Sequence, residues 1–131
     1  MQQAIICIDD ERSILTALQQ QIMRAFSDTY ILEFAESGEE AVEIIEDLVS
    51  KNIRLAAIIT DEMMPGMKGH ELIEYVAKIS ADTPCILLTG YAQSEVMTQI
   101  SSSNMANCVS KPWDSNELIA LVEKSIHKRE H

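Results

Sequence analysis

An α/β domain, built on a parallel sheet with helices on both faces, is predicted by three observations. Short aliphatic runs alternate with stretches of helical periodicity, the runs at Ala4–Ile8, Leu55–Ile59 and Cys85–Leu88 contain no charged residue, and each stops abruptly at polar or acidic residues. Runs this short do not make helices, and an uninterrupted aliphatic run reads as a strand buried on both faces, the habit of parallel sheets. Five strands alternating with five helices complete the pattern.

Ala4-Ile-Ile-Cys-Ile8 is the first strand and ends at Asp9-Asp10-Glu11. Ile14, Leu15, Leu18, Ile22 and Ala25 recur at helical spacing and place the first helix over Arg12–Phe26. Tyr30–Ala35 is a second strand, but Glu33 interrupts it and assigns it to an edge. Ser37, with Glu40 three residues on, forms a capping box for a second helix whose stripe is Ala41, Ile44, Ile45, Leu48 and Val49. Leu55–Ile59 is a third strand that delivers Asp61 to the rim of the sheet. Pro65-Gly66 then turns the chain into a third helix from about His70 to Ile79, with Leu72, Ile73, Val76 and Ile79 inward.

Cys85-Ile-Leu-Leu88 is the fourth strand and stops at Thr89-Gly90. Ser94–Ser103 has only Val96, Met97 and Ile100 as apolar anchors, so a fourth helix there is short and weakly held. Asn107–Val109 is a fifth strand with polar ends, followed by Ser110-Lys-Pro-Trp-Asp114. A fifth helix begins at a cap made by Asp114 and Glu117, carries Leu118, Leu121, Val122 and Ile126 inward, and frays at His127–His131. Strands one, three and four are apolar and belong in the centre, two and five at the edges. That is the order 2-1-3-4-5 of a flavodoxin-like three-layer sandwich.

A chain of 131 residues is about one domain long, so residues 1–131 are expected to form a single domain with no second, output domain. No apolar run approaches the roughly 20 residues of a membrane span and no secretory signal precedes the first strand, which makes cytoplasmic the expected location. Cys7, Cys85 and Cys108 each fall in a predicted strand, too far apart in sequence for a zinc or redox pair. A formal net charge of −11 argues against direct binding to nucleic acid or anionic lipid and suits a cation or a basic partner.

In a parallel sheet all carboxyl ends share one edge, so Asp9, Asp10, Asp61, Thr89 and Lys111 converge although scattered in sequence. Three carboxylates so close repel one another, and a site that keeps them ionised usually holds a divalent cation. An oxygen-only set without His or Cys favours Mg²⁺. The Lys111 ammonium balances an incoming phosphoryl group, the Thr89 hydroxyl hydrogen-bonds one of its oxygens, and Asp61, alone at its strand end, is the nucleophile. A lone acid at a strand end is more often a cap or a solvated loop residue; only the conjunction outweighs that reading. His70, His127 and His131 read as surface residues, Met63, Met64 and Met67 as loop packing, and Trp113 as an amphipathic cover.

These residues resemble the receiver domain of two-component response regulators. Asp9-Asp10 is similar to the family's acidic pair, Asp61-Glu-Met-Met-Pro-Gly-Met-Lys-Gly69 to its phosphoacceptor and the residues trailing it, Thr89-Gly90 to its Thr and small residue, and Lys111-Pro112 to its Lys-Pro. The resemblance implies phosphorylation of Asp61 by a phosphohistidine on a sensor kinase or phosphotransfer protein. It also implies Mg²⁺ held by Asp10, Asp61 and the Met63 backbone carbonyl, with Asp9 nearby, often through water, and a cis Lys111-Pro112 peptide. The module would be a phosphoacceptor rather than an enzyme, and would signal through the surface of its fourth helix, fifth strand and fifth helix to an output domain or effector, with a homodimer through that surface as an option. The family's switch pairs the Thr with an aromatic three residues before the Lys; here the pair is Thr89 and Cys108, which leaves the aromatic half missing. The stretches around Thr89 and Lys111 are also similar to receivers attached to cyclic-dinucleotide phosphodiesterases or hybrid kinases.

Two rival readings use the same residues. A haloacid-dehalogenase-like phosphatase needs a second Asp two residues after the first, where Glu11 stands, and leaves Asp61 without a role. A pseudo-receiver that binds without phosphorylation would have no need to keep all five polar positions.

Overall fold

The computed structural model describes residues 1–90 and 105–130. Its strands are β1 (Gln3–Ile8), β2 (Ile31–Ala35), β3 (Arg54–Asp61), β4 (Cys85–Thr89) and β5 (Met105–Ser110). Its helices are α1 (Arg12–Phe26), α2 (Gly38–Ser50), α3 (Gly69–Ile79) and α4 (Ser115–Glu130). The helix expected over Ser94–Ser103 lies outside the described residues, so α4 here is the fifth helix of the sequence pattern.

All five strands are parallel, in the order β2-β1-β3-β4-β5. The apolar runs occupy the centre because both faces of β1, β3 and β4 are covered. Ile6, Ile8, Ile58 and Leu87 pack under α2 and α3 through Ala41, Ile45, Leu48, Leu72, Ile73 and Val76. Ile5, Cys7, Ile59, Ile86 and Leu88 pack under α1 and α4 through Leu18, Ile22, Phe26, Leu118, Val122 and Ile126. Burying a Leu or Ile side chain in this way stabilises by roughly 1.5–3 kcal/mol each.

The predicted caps hold α2 and α4 in place. Ser37 Oγ accepts from the Glu40 amide at 3.1 Å, and Asp114 Oδ1 accepts from the Glu117 amide at 3.0 Å. Three stripe positions differ from expectation. Ala25, Val49 and Ile79 are exposed, because each lies in the last turn of its helix where the chain leaves the sheet; Phe26 is buried beside Ala25, and Val42 packs against the core from the first turns of α2. The tail expected to fray from His127 is helical as far as Glu130.

Candidate functional site

Four strand ends, those of β1, β3, β4 and β5, build the site. β1 ends at Ile8 and exposes Asp10 beside the buried Asp9, whose amide donates to Ala35 O at 3.1 Å and whose Oδ1 accepts from the Glu11 amide at 2.9 Å. β3 runs through Asp61, which is therefore its last residue rather than part of the following loop. Beyond β5, Lys111 donates its amide to Thr89 O at 2.8 Å, and its peptide with Pro112 is cis, as the resemblance implied.

Lys111 ties the acids together. Its Nζ donates to Asp61 Oδ1 at 2.8 Å and to Asp9 Oδ2 at 2.9 Å, two charge-assisted hydrogen bonds from one ammonium that remains one-fifth exposed. Burial lowers the affinity of Lys111 for its proton, but the bonds to Asp61 and Asp9 and the charges behind them more than reverse this and raise it overall. Burial pushes the Asp61 carboxyl up from the usual carboxylate range; the Lys111 bond pulls it down, while Asp9 and Asp10 raise it further. One cation does not neutralise the pocket.

The donor set fits a hard divalent cation. Asp9, Asp10 and Asp61 can each bring a carboxylate oxygen within 4.8 Å of the others, two of the residues buried and one open to solvent. Such a set suits Mg²⁺, which takes a few oxygens and keeps several waters. Thr89 is buried on the β4 side, and its Oγ1 has no hydrogen-bond partner among the described residues. Cys108, half-buried, packs against the α2–α3 side of the core, and burial followed by the nearby Glu62 charge raises its thiol.

Sequence reasoning missed the pair Glu62 and His70. Glu62 is only 4% exposed, and its carboxylate accepts from the His70 amide at 2.8 Å and faces His70 Nδ1 at 2.6 Å. His70 is thus no free surface residue: it completes a buried carboxylate behind Asp61 and at the start of α3. An acid directly after the strand and a His eight residues later form no recognisable motif. Among the three methionines of the loop, Met64 is buried and Met67 packs on the core as expected, but Met63 is 49% exposed. Trp113 is half-buried and donates from Nε1 to Gln21 Oε1 of α1 at 2.7 Å, consistent with a cover over the loop.

Residues 5–123 match the model of the response regulator receiver domain. The chain belongs to this family. It is 31% identical over 122 residues to the uncharacterised transcriptional regulatory protein YesN of Bacillus subtilis, covering 93% of this chain and 32% of that protein. It is 25% identical to the sensor kinase CckA of Brucella abortus, covering 96% of this chain and 13% of that one. The chain thus spans a third or less of the length of these relatives. Among solved structures it resembles the signal receiver domain of an HD domain-containing protein from Pseudomonas fluorescens, with a TM-score of 0.82 and 24% identity over 99% of this chain and 98% of that one. Mg²⁺ binding in an acidic pocket and phosphorylation of an Asp are features of the family. No helix among the described residues is long and apolar enough to cross a membrane.

Proposed function

We propose that residues 1–131 act as one phosphoacceptor module in which Asp61 takes a phosphoryl group from a phosphohistidine of a sensor kinase or phosphotransfer protein. The observation that supports this best is the Lys111 bridge to Asp61 and Asp9 beside a buried Thr89 hydroxyl that has no partner among the described residues. An Asp61 carboxylate oxygen forms the new bond to phosphorus as the phosphorus–nitrogen bond to the donor imidazole breaks, and the imidazole keeps that electron pair and takes up a proton. Lys111 balances charge on the transferring group, and Thr89 donates a hydrogen bond to one of its oxygens.

Asp10, Asp61 and the Met63 carbonyl hold Mg²⁺ in this reading, with Asp9 nearby through water. The cation supplies neutralisation of the clustered negative charge. The module then signals to an output domain or effector protein through the surface of residues 94–103, β5 and α4, with Thr89 and Cys108 at the switch and a homodimer through that surface as one arrangement. Transfer does not require Cys108, since its thiol lies on the α2–α3 side of the sheet and not among the acids.

Intact mass after incubation with Mg²⁺ and acetyl phosphate tests the assignment. The wild type gains one phosphoryl mass and Asp61→Asn gains none. An Asp61→Asn protein modified at the wild-type rate removes Asp61 from its role, and a wild type that is never modified makes the chain a pseudo-receiver.

A further inference from the structure

The metal site proposed above takes the Met63 carbonyl from the stretch between Asp61 and α3, yet residues 63–68 have neither helical nor strand structure to hold them. Their conformation is set from outside. At the far end Glu62 O accepts from the Gly69 amide at 3.1 Å, and within the loop Lys68 Nζ donates to Met64 O at 3.1 Å. The middle is held by a different element: Glu39, in the first turn of α2, accepts from the Met67 amide through Oε2 at 3.1 Å.

The fit on both sides of this contact is close. A Cβ on Gly66 would lie 2.5 Å from Glu39 Oε2, so the carboxylate rests directly over that glycine, whose φ of +77° is open to few other residues. A Cβ on Gly38 would lie 2.8 Å from Met67 Cβ, so the Met67 side chain seats where Gly38 leaves room and continues into the core. The bland reading of Glu39 is an exposed acid favoured by the helix dipole at an N-terminus. It leaves unexplained why that acid bonds an amide 28 residues away in the loop of the site.

We propose that Glu39 is a positioning residue for the metal site: by latching the Met67 amide it fixes the loop in the form that offers the Met63 carbonyl. The inference rests on the reading of the pocket as a Mg²⁺ site. Ordering the loop in advance removes that cost from cation binding, which is how a residue outside the ligand set raises affinity.

Calorimetric Mg²⁺ titration of the full chain tests it with wild type, Glu39→Ala and Glu39→Gln, each first shown to be folded by its melting curve in EDTA. Glu39→Ala should bind Mg²⁺ roughly threefold to tenfold more weakly, the size of one net hydrogen bond. The Mg²⁺ concentration needed for phosphorylation by acetyl phosphate should rise by the same factor, while the rate at saturating Mg²⁺ stays at the wild-type value because Asp61 and Lys111 are untouched. Glu39→Gln keeps the acceptor oxygen and should recover most of the affinity. If Glu39→Gln is as weak as Glu39→Ala, the effect is one of charge and the latch is wrong; equal affinity in wild type and Glu39→Ala also overturns it. A wild type that binds no Mg²⁺ overturns the metal reading and the latch together.

Discussion

Lys111 and Thr89 are joined by a backbone hydrogen bond of 2.8 Å, but their side chains stand in opposite situations. Lys111 is engaged by two carboxylates, whereas the buried Thr89 hydroxyl has no partner among the described residues. A buried hydroxyl left without a partner costs on the order of 1–3 kcal/mol. The Lys111 half of the pocket is therefore satisfied by the acids it already holds. Among the described residues nothing satisfies the Thr89 half, and a phosphoryl oxygen on Asp61 would be an acceptor for it.

The comparison breaks most visibly if the acids are relieved of their mutual repulsion by a cation. Mg²⁺ at about 100 times its dissociation constant should add about 2.7 kcal/mol, or about 10 °C in melting temperature for a chain of this size. Asp10→Ala should melt higher than wild type in EDTA and lose the Mg²⁺ response, as thermal scans with and without the ion will tell. An undiminished response would remove Asp10 from the ligand set.

Lys111→Met attacks the satisfied half. It leaves Asp9 and Asp61 without their ammonium and should destabilise the metal-free protein by about 2 kcal/mol near neutral pH, less than for a fully buried pair because Lys111 is partly solvated. The pH dependence carries the same signature. A Lys111 pKa raised above its ordinary value means stability that is present below about 10.5 and lost as pH rises through the raised value, so wild type should lose more stability than Lys111→Met in alkaline urea titrations. The raised Asp61 carboxyl acts in the same sense at the acid end: its contribution is present below the ordinary value of 3.8 and lost as pH rises through the folded value. Parallel wild-type and Lys111→Met curves would show that the bridge contributes nothing.

The smallest effect belongs to the other half. Thr89→Val exchanges a hydroxyl that has no partner among the described residues for a methyl group of similar size, so the metal-free protein should hold its stability or gain up to about 1 kcal/mol in urea unfolding. Phosphorylation by acetyl phosphate should slow at the same time. A clear loss of stability would mean that the hydroxyl already has a partner, and the contrast with Lys111 would vanish.

The strand order was readable because burial on both faces leaves a plain mark: no charge in Ala4–Ile8, Leu55–Ile59 or Cys85–Leu88, against Glu33 in β2. The converging acids were readable for the same reason, since parallel strands bring their carboxyl ends to one edge. Helix ends were less clear, as Val49 and Ile79 continue a helical period past the point where the sheet lies beneath it. Glu62, His70 and Glu39 left no mark at all. Each is an ordinary charged or polar residue whose role depends on how an irregular loop returns to α2 and α3, and loops have no period to read.

The two hydrogen bonds of Lys111 span 50 and 102 residues of chain, the longer one reaching from beyond the last strand to the end of the first. Contacts of such high sequence separation each close a long loop, at an entropic cost that grows only slowly with its length. The ammonium meets Asp9 and Asp61 because β1, β3 and β5 end at one edge of the same sheet, so the pocket belongs to the whole sheet and to no single stretch of chain. A change that parts β5 from β4 would therefore also take Lys111 away from Asp9 and Asp61.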